Sequence, residues 1–271
     1  RRLMVDLRFL CKASRQFKLN GMKEEELDGL MATDGKKLCY VPERIVRAFK
    51  EEQHRPVRVL LHLTLHCMLG HPFRGQDKVS DIWNLASDVA VEKIIRQLDL
   101  YSCSLQGDER QQEWLLVLEE YCPHMTADEL YRYFLDRGLE EGRQGKLAQL
   151  FEKDSHFLWN LGENRRDVRR NRGKDEKNRQ DGGDKKTGEE DAKEAEEEVT
   201  ASEEMLRQSG EDETEEKLKR RKRRMVQKEW KEIAKQAETD LKTFSKRYGQ
   251  QAGALMDGLA SITFEECDYS E

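Results

Sequence analysis

No run of about 18 apolar residues occurs anywhere in the 271-residue chain, which excludes a membrane-spanning helix. The opening RRLMVDLRFL has no small-residue cleavage site, and Asp6 interrupts its apolar positions, so it does not read as a signal peptide. Cysteines are few and scattered: Cys11, Cys39, Cys67, Cys103, Cys122 and Cys267 form no CxxC pair. They read as buried free thiols of a cytoplasmic protein in a reducing compartment. The chain begins without Met and ends at CDYSE, and it reads as a fragment of a longer protein. Residues 169–198 lack any side chain more apolar than Ala192 and Ala195. Such a stretch cannot bury enough surface to offset its ordering entropy, so a flexible linker is expected there. Charged residues make up 38% of the chain, yet without that stretch the composition is ordinary for a globular protein.

What is present is mostly helical patterning. Leu3, Leu7, Leu10 and Cys11 suggest an N-terminal helix within 1–19, and Leu38 to Val41 a short strand stopped by Pro42. Helices are expected over 43–51, over 57–69 with Pro56 in the first turn and Gly70 at the end, and over 80–98 with Ser80 as N-cap. Further helices are expected over 110–121 and 126–137, and a long one over 203–248 whose apolar positions are Trp230, Ile233, Ala234, Ala237, Leu241 and Phe244. The fold class is α+β, mostly helical with a small sheet. Three segments follow: a domain over 1–165, a charged linker over 166–202, and a helical tail over 203–271 leading toward a further domain.

The sharpest signal is RVLLHLTLHCMLGHPFR, from Arg58 to Arg74. Half of the chain's six histidines, His62, His66 and His71, fall within ten residues of a strongly apolar run. On a helix His62 and His66 stand at i and i+4, about 6 Å apart on one face. That is the spacing by which two imidazoles grip one zinc ion in the HExxH helix of metallopeptidases. The alternative is a pair of core histidines, each of which would need its own polar partner. A zinc site needs a third ligand, and the following helix supplies Asp88 and Glu92, one turn apart among Ile82, Leu85, Ala86 and Val89. The arrangement resembles the thermolysin-like metallopeptidases, which implies Asp88 as a metal ligand and Glu92 as the acid that orients a ligating histidine. A solvated helix edge is the other reading of these two acids. His71 lies beyond Gly70, off the shared face, and is either a further ligand reached by the turn or a supporting group with Arg74. The residue after the first histidine is Leu63, where HExxH enzymes carry the glutamate that takes a proton from the metal-bound water, and leucine cannot do so. Glu92, Asp88 or Asp154 could replace it if the fold brings one within reach.

Three motifs in order, LLHLTLHCMLGHPFR, DIWNLASDVAVEKII and DSHFLW at Asp154–Trp159, resemble the metallopeptidase-like domain that precedes a von Willebrand A-like domain in many bacterial proteins. The resemblance spans residues 1–165, and the charged insert and helical segment after it fit the same layout. With HLTLH in place of HExxH, the chain is similar to a divergent branch. The resemblance implies a zincin-like core, a zinc ion, a protein or peptide substrate if the site is active, and cooperation with an AAA+ ATPase of the MoxR kind. It also gives Asp154 and His156 a part at the site, as an acid and an imidazole anchored by Phe151, Phe157 and Trp159. The alternative for that pair is a polar domain edge.

Lys217 to Arg224 places seven cations in eight residues directly after EDETEE. No aromatic residue interleaves them, the net charge is −6, and the adjacent acids compete for the same cations. A solvated helix with complementary charge blocks is expected rather than a nucleic-acid site.

Overall fold

A computed structural model describes residue 7 and residues 10–137, 141–159, 217–243 and 253–264. The expected linker over 166–202 lies outside the described residues, as do Cys267, Phe244 and most of the expected N-terminal helix. The chain forms two compact units, one of Arg1–Trp159 with Val226–Glu271 and one of Asn160–Met225. Of the second, residues 217–225 are described: they are helical and mostly exposed.

The first unit is helical with a small sheet. After α1 (Cys11–Arg15) come β1 (Lys18–Gly21), β2 (Met31–Thr33) and β3 (Lys37–Tyr40), in the order β1-β3-β2. Strands β1 and β3 are parallel with Leu19 opposite Leu38, and β2 runs antiparallel to β3 with Ala32 opposite Cys39. The sequence shows only β3, and the other two strands are silent for a physical reason. All of β1 is exposed and all of β2 is buried, so neither alternates. The turn between β2 and β3 is built by Asp34, whose Oδ1 accepts the backbone N–H groups of Lys36 and Lys37 at 2.8 and 2.7 Å. Gly35 there has φ +87°, and a Cβ would come within 2.7 Å of the Phe73 ring. Only glycine fits.

Helices α2 (Pro42–Glu51), α3 (Arg55–Met68), the short α4 (His71–Arg74) and α5 (Ser80–Leu98) follow. Pro56 sits in the first turn of α3, and Gly70, left-handed at φ 71°, ends the run before α4. At α5 the expectation fails by one residue: the N-cap is Val79, which makes no side-chain capping bond, and Ser80 is the first helical residue. The Val79 N–H is instead taken by the Tyr131 hydroxyl at 3.0 Å, a partner from a distant helix that local sequence cannot reveal. A 3-10 turn at Tyr101–Cys103 leads to α6 (Asp108–Glu119), α7 (Ala127–Arg137) and α8 (Glu141–Phe151), the last unforeseen in the sequence. Residues 226–243 are helical, and α9 (Gly253–Phe264) closes the described chain.

Two apolar clusters share α5. Its first half (Trp83, Leu85, Ala86, Val89) packs with α6, α7 and α8. Its second half (Val91, Ile94, Ile95, Leu98) joins α3, α9 and the stripe Trp230, Ile233, Ala234, Ala237 and Leu241. Trp230 also donates its indole N–H to the Gly35 carbonyl at 2.6 Å. Helix α5 is therefore buried on nearly every side, and so is α3, which packs against it and against β2. Every polar group that these two helices turn toward each other must find a partner inside the protein.

Candidate metal centre

Arg58, His62 and His66 repeat at four-residue spacing along α3, and Asp88 and Glu92 do the same on α5, so one face of each helix meets the other. All five are almost fully buried. A third segment comes from residues 152–159. It is tied to the sheet by the Ser155 N–H on the Met31 carbonyl at 3.0 Å and by a parallel bridge between Ala32 and Ser155. With Ser155 held at the edge of β2, its neighbours Asp154 and His156 turn inward, and both are buried.

The atoms converge. His62 Nε2 lies 2.7 Å from His66 Nε2, 3.2 Å from Asp88 Oδ1 and 3.4 Å from Asp154 Oδ1. His66 Nε2 is 3.1 Å from Asp88 Oδ1. Donor atoms of His62, His66, Asp88 and Asp154 all lie within 4.8 Å of one another, a group that could hold a metal ion. His156 Nε2 joins the edge of this group, 3.2 Å from Asp88 Oδ1 and 3.1 Å from Asp154 Oδ1, with its ring against Trp159.

The outward ring nitrogens fix which way the inner ones point. His62 Nδ1 lies 2.7 Å from Glu92 Oε1. Glu92 is held by the buried Arg58 guanidinium, which also donates to the Cys103 carbonyl at 2.8 Å and the Gln111 side chain at 3.3 Å. Burial would raise the Glu92 pKa, but the Arg58 charge and the His62 contact bring it down to about 2. An ionised Glu92 only accepts, so His62 Nδ1 donates and Nε2 is free to face the centre. His66 Nδ1 lies 2.9 Å from His71 Nδ1, and the Trp83 indole N–H donates to the His71 carbonyl at 3.2 Å.

The centre thus gathers two imidazole nitrogens and two carboxylates with no arginine or lysine among them. Positive charge is demanded. Burial works against a proton on His62, but Asp154, Asp88 and Glu92 hold its pKa well above the ordinary value. His66, buried and beside that charge, falls to about 4. His71 is lowered further by burial and by His66 and Arg74. Burial also opposes the charge on His156, yet Asp88 and Asp154 push it up to about 10. Both acids are correspondingly held below the usual carboxylate range despite their burial, chiefly by His156 and His62. Even so, neither Asp154 oxygen nor His156 Nε2 has a hydrogen-bond partner, although Oδ1 lies at ion-pairing distance from His62 and His156.

Of the residues singled out in the sequence, His62, His66, Asp88, Asp154 and His156 are brought to one point. Glu92 is not: its oxygens face His62 Nδ1 and Arg58, one layer behind. His71 stands outside the converging atoms, behind His66, because the left-handed Gly70 turns the chain after α3. Leu63 is fully buried in the apolar cluster with Leu61 and Leu65, away from the carboxylates. The solvated edge considered for Asp88 and Glu92 is excluded by their burial. Arg58 is a further residue of the site, and its signal in the sequence is a cation four residues before His62 and eight before His66 in an apolar run.

Fold and site together define a mostly helical α+β domain with a buried histidine–aspartate group that could hold a metal ion. Over residues 12–263 the chain matches the model of the family described as "Putative metallopeptidase domain", and it belongs to that family. No curated protein and no solved structure matches it.

Proposed function

We propose that the domain is a divalent-metal-binding, metallopeptidase-like module whose ion is zinc, held by His62, His66, Asp88 and Asp154. The observation that carries this reading is the spacing of the donor atoms, 2.7 to 3.4 Å across the measured pairs. Four ligands at tetrahedral zinc, with bonds near 2.0–2.2 Å, are separated by about 3.3–3.6 Å, so the group needs to open only by a few tenths of an ångström to surround the ion. Two imidazoles and two carboxylates are a suitable donor set for that ion. The unsatisfied Asp154 oxygens are a second support, since a buried charge without hydrogen bonds is costly unless a cation meets it. Glu92, anchored by Arg58, fixes the tautomer and orientation of His62.

When bound, zinc can act as a Lewis acid or stabilise the fold. Four protein donors fill a tetrahedral set, and Leu63 supplies no base, so the reading favoured is a structural centre with hydrolysis lost. Within it the core is zincin-like, with α3 as the histidine helix beneath β2. A second reading keeps hydrolysis, because Asp154 has two unsatisfied oxygens beside the histidines and could accept a proton there, with His156 next to it. The variant Asp154→Asn separates the two. In the structural reading it lowers zinc affinity strongly. In the hydrolytic reading the variant keeps its zinc and loses the peptide cleavage that the wild-type chain shows. The proposed partner, an AAA+ ATPase of the MoxR kind, and the cytoplasmic location are supported by the motif order and by four buried free cysteines.

The test of metal binding is elemental analysis of the purified protein beside its His66→Ala variant. About one zinc per wild-type chain and a marked loss in the variant are expected. Full zinc occupancy in a His62→Ala/His66→Ala double variant would falsify the site.

A further inference from the structure

A second feature of the domain does not depend on the metal reading. A pocket of about 420 Å³ opens between α4, α5, the turn before α7, and α9. This is the size of pocket that takes a small organic molecule. One wall is apolar, formed by Leu69, Ile94 and Met125. The other carries Lys93, which is 9% exposed and whose ammonium donates to the His124 carbonyl at 3.2 Å. That partner is neutral, so the buried charge of Lys93 has no counter-ion among the described residues. The half-buried acid of the lining, Asp128, is already shared by Arg74 at 2.7 Å and Lys78 at 2.5 Å. Asp257, the other acid of the lining, is exposed at the rim. The interior therefore holds more positive than negative charge. A buried ammonium facing an open volume is a costly arrangement unless an anion meets it.

We propose that this pocket binds a small amphiphilic anion, a carboxylate with an aliphatic body, whose head group pairs with Lys93 and whose body lies on Leu69, Ile94 and Met125. The apolar wall rules against a bare inorganic anion as the fitting ligand. The buried cation rules against a neutral lipid or hydrocarbon. His71 lines the same pocket with its ring already on His66, so an occupant would touch the group that stands behind the histidine pair.

The test is calorimetric titration of the full chain with a series from acetate to octanoate, with methyl octanoate and inorganic phosphate as controls. Affinity should rise along the series by up to about fourfold per methylene, as expected for apolar burial. Methyl octanoate and phosphate should bind at least about tenfold more weakly than octanoate, since a charge-assisted contact or the apolar wall is missing in each. Lys93→Met keeps the side-chain volume and should lower octanoate affinity about tenfold or more. Gln97→Glu, at an exposed position on the lining, adds a negative charge without disturbing the core and should also weaken binding. Absence of octanoate binding to the wild type, binding unchanged in both variants, or equal binding of the methyl ester would each overturn the proposal.

Discussion

Asp88 and Glu92 are both acids, one turn apart on α5, equally buried and both facing α3, yet their surroundings differ in one respect. Glu92 has Arg58 on it, and its charge is matched inside the protein. Among the described residues the cationic partners of Asp88 are all histidines, and those gain charge solely by taking a proton. The first region is a finished ion pair. The second is a cluster of acceptors that is complete only with a proton or a metal ion at its centre. Burial and residue type alone would assign both acids the same part; the presence or absence of one guanidinium separates a supporting group from a candidate ligand.

The comparison breaks most completely if the histidines are removed. In the His62→Ala/His66→Ala double variant, metal binding should vanish, a loss of several kcal/mol from the ~10–16 typical of structural zinc. Elemental analysis after dialysis reads it directly. Next in size is Arg58→Met, which leaves Glu92 buried without its cation and should cost about 3–5 kcal/mol of stability. Urea unfolding would show it, and the double variant Arg58→Met/Glu92→Gln should recover part of the loss. An unchanged urea midpoint in Arg58→Met would mean that the pair contributes nothing.

A finer test sets the two acids against each other. Asp88→Asn should reduce zinc affinity more than Glu92→Gln, for which about 10–100-fold is expected of a group that only orients a ligating histidine. Equal losses in a competition assay with a chelating dye would erase the distinction. The smallest effect is in pH. In the metal-free protein His62 is held well above its ordinary value and His156 at about 10, so both are protonated at neutral pH. A metal must displace the proton at His62 Nε2. Affinity should therefore rise with pH, by at most about tenfold per unit for each proton released. Calorimetry in two buffers of different ionisation enthalpy counts those protons, and a count of zero would contradict the cluster's charge state. The raised His156 also contributes stability to the metal-free fold that is full below about 6.5 and lost as pH rises through about 10.

Much of the helical frame was legible because α3 and α5 are long apolar runs and α3 carries its own start and stop signals, Pro56 and Gly70. The pairing of His62 with His66 was legible from the helical period alone. Asp88 and Glu92 were legible as odd acids in an apolar helix, though the period could not say which would meet the histidines. Asp154 was given a part at the site only by the family resemblance, and local patterning could not place it. Its placement depends on Ser155 joining the edge of β2, a strand whose three residues are all buried and leave no alternating pattern. Leu63 illustrates the opposite error of local reading: its position beside His62 suggests the site, but a step of one residue on a helix turns it into the core.

The sequence by itself determined that α3 and α5 form, that two histidines share a face, and that two acids one turn apart sit in an apolar helix, because these follow from periods of three to four residues. The tertiary structure decided that Arg58 neutralises Glu92 and not Asp88, that His71 backs His66, and that a distant strap delivers Asp154 and His156. Each of those depends on side chains 30 or more positions apart in sequence meeting in a dry interior, or on a turn that redirects the chain, and there the demand that buried charges be matched selects among contacts that local patterning leaves equivalent.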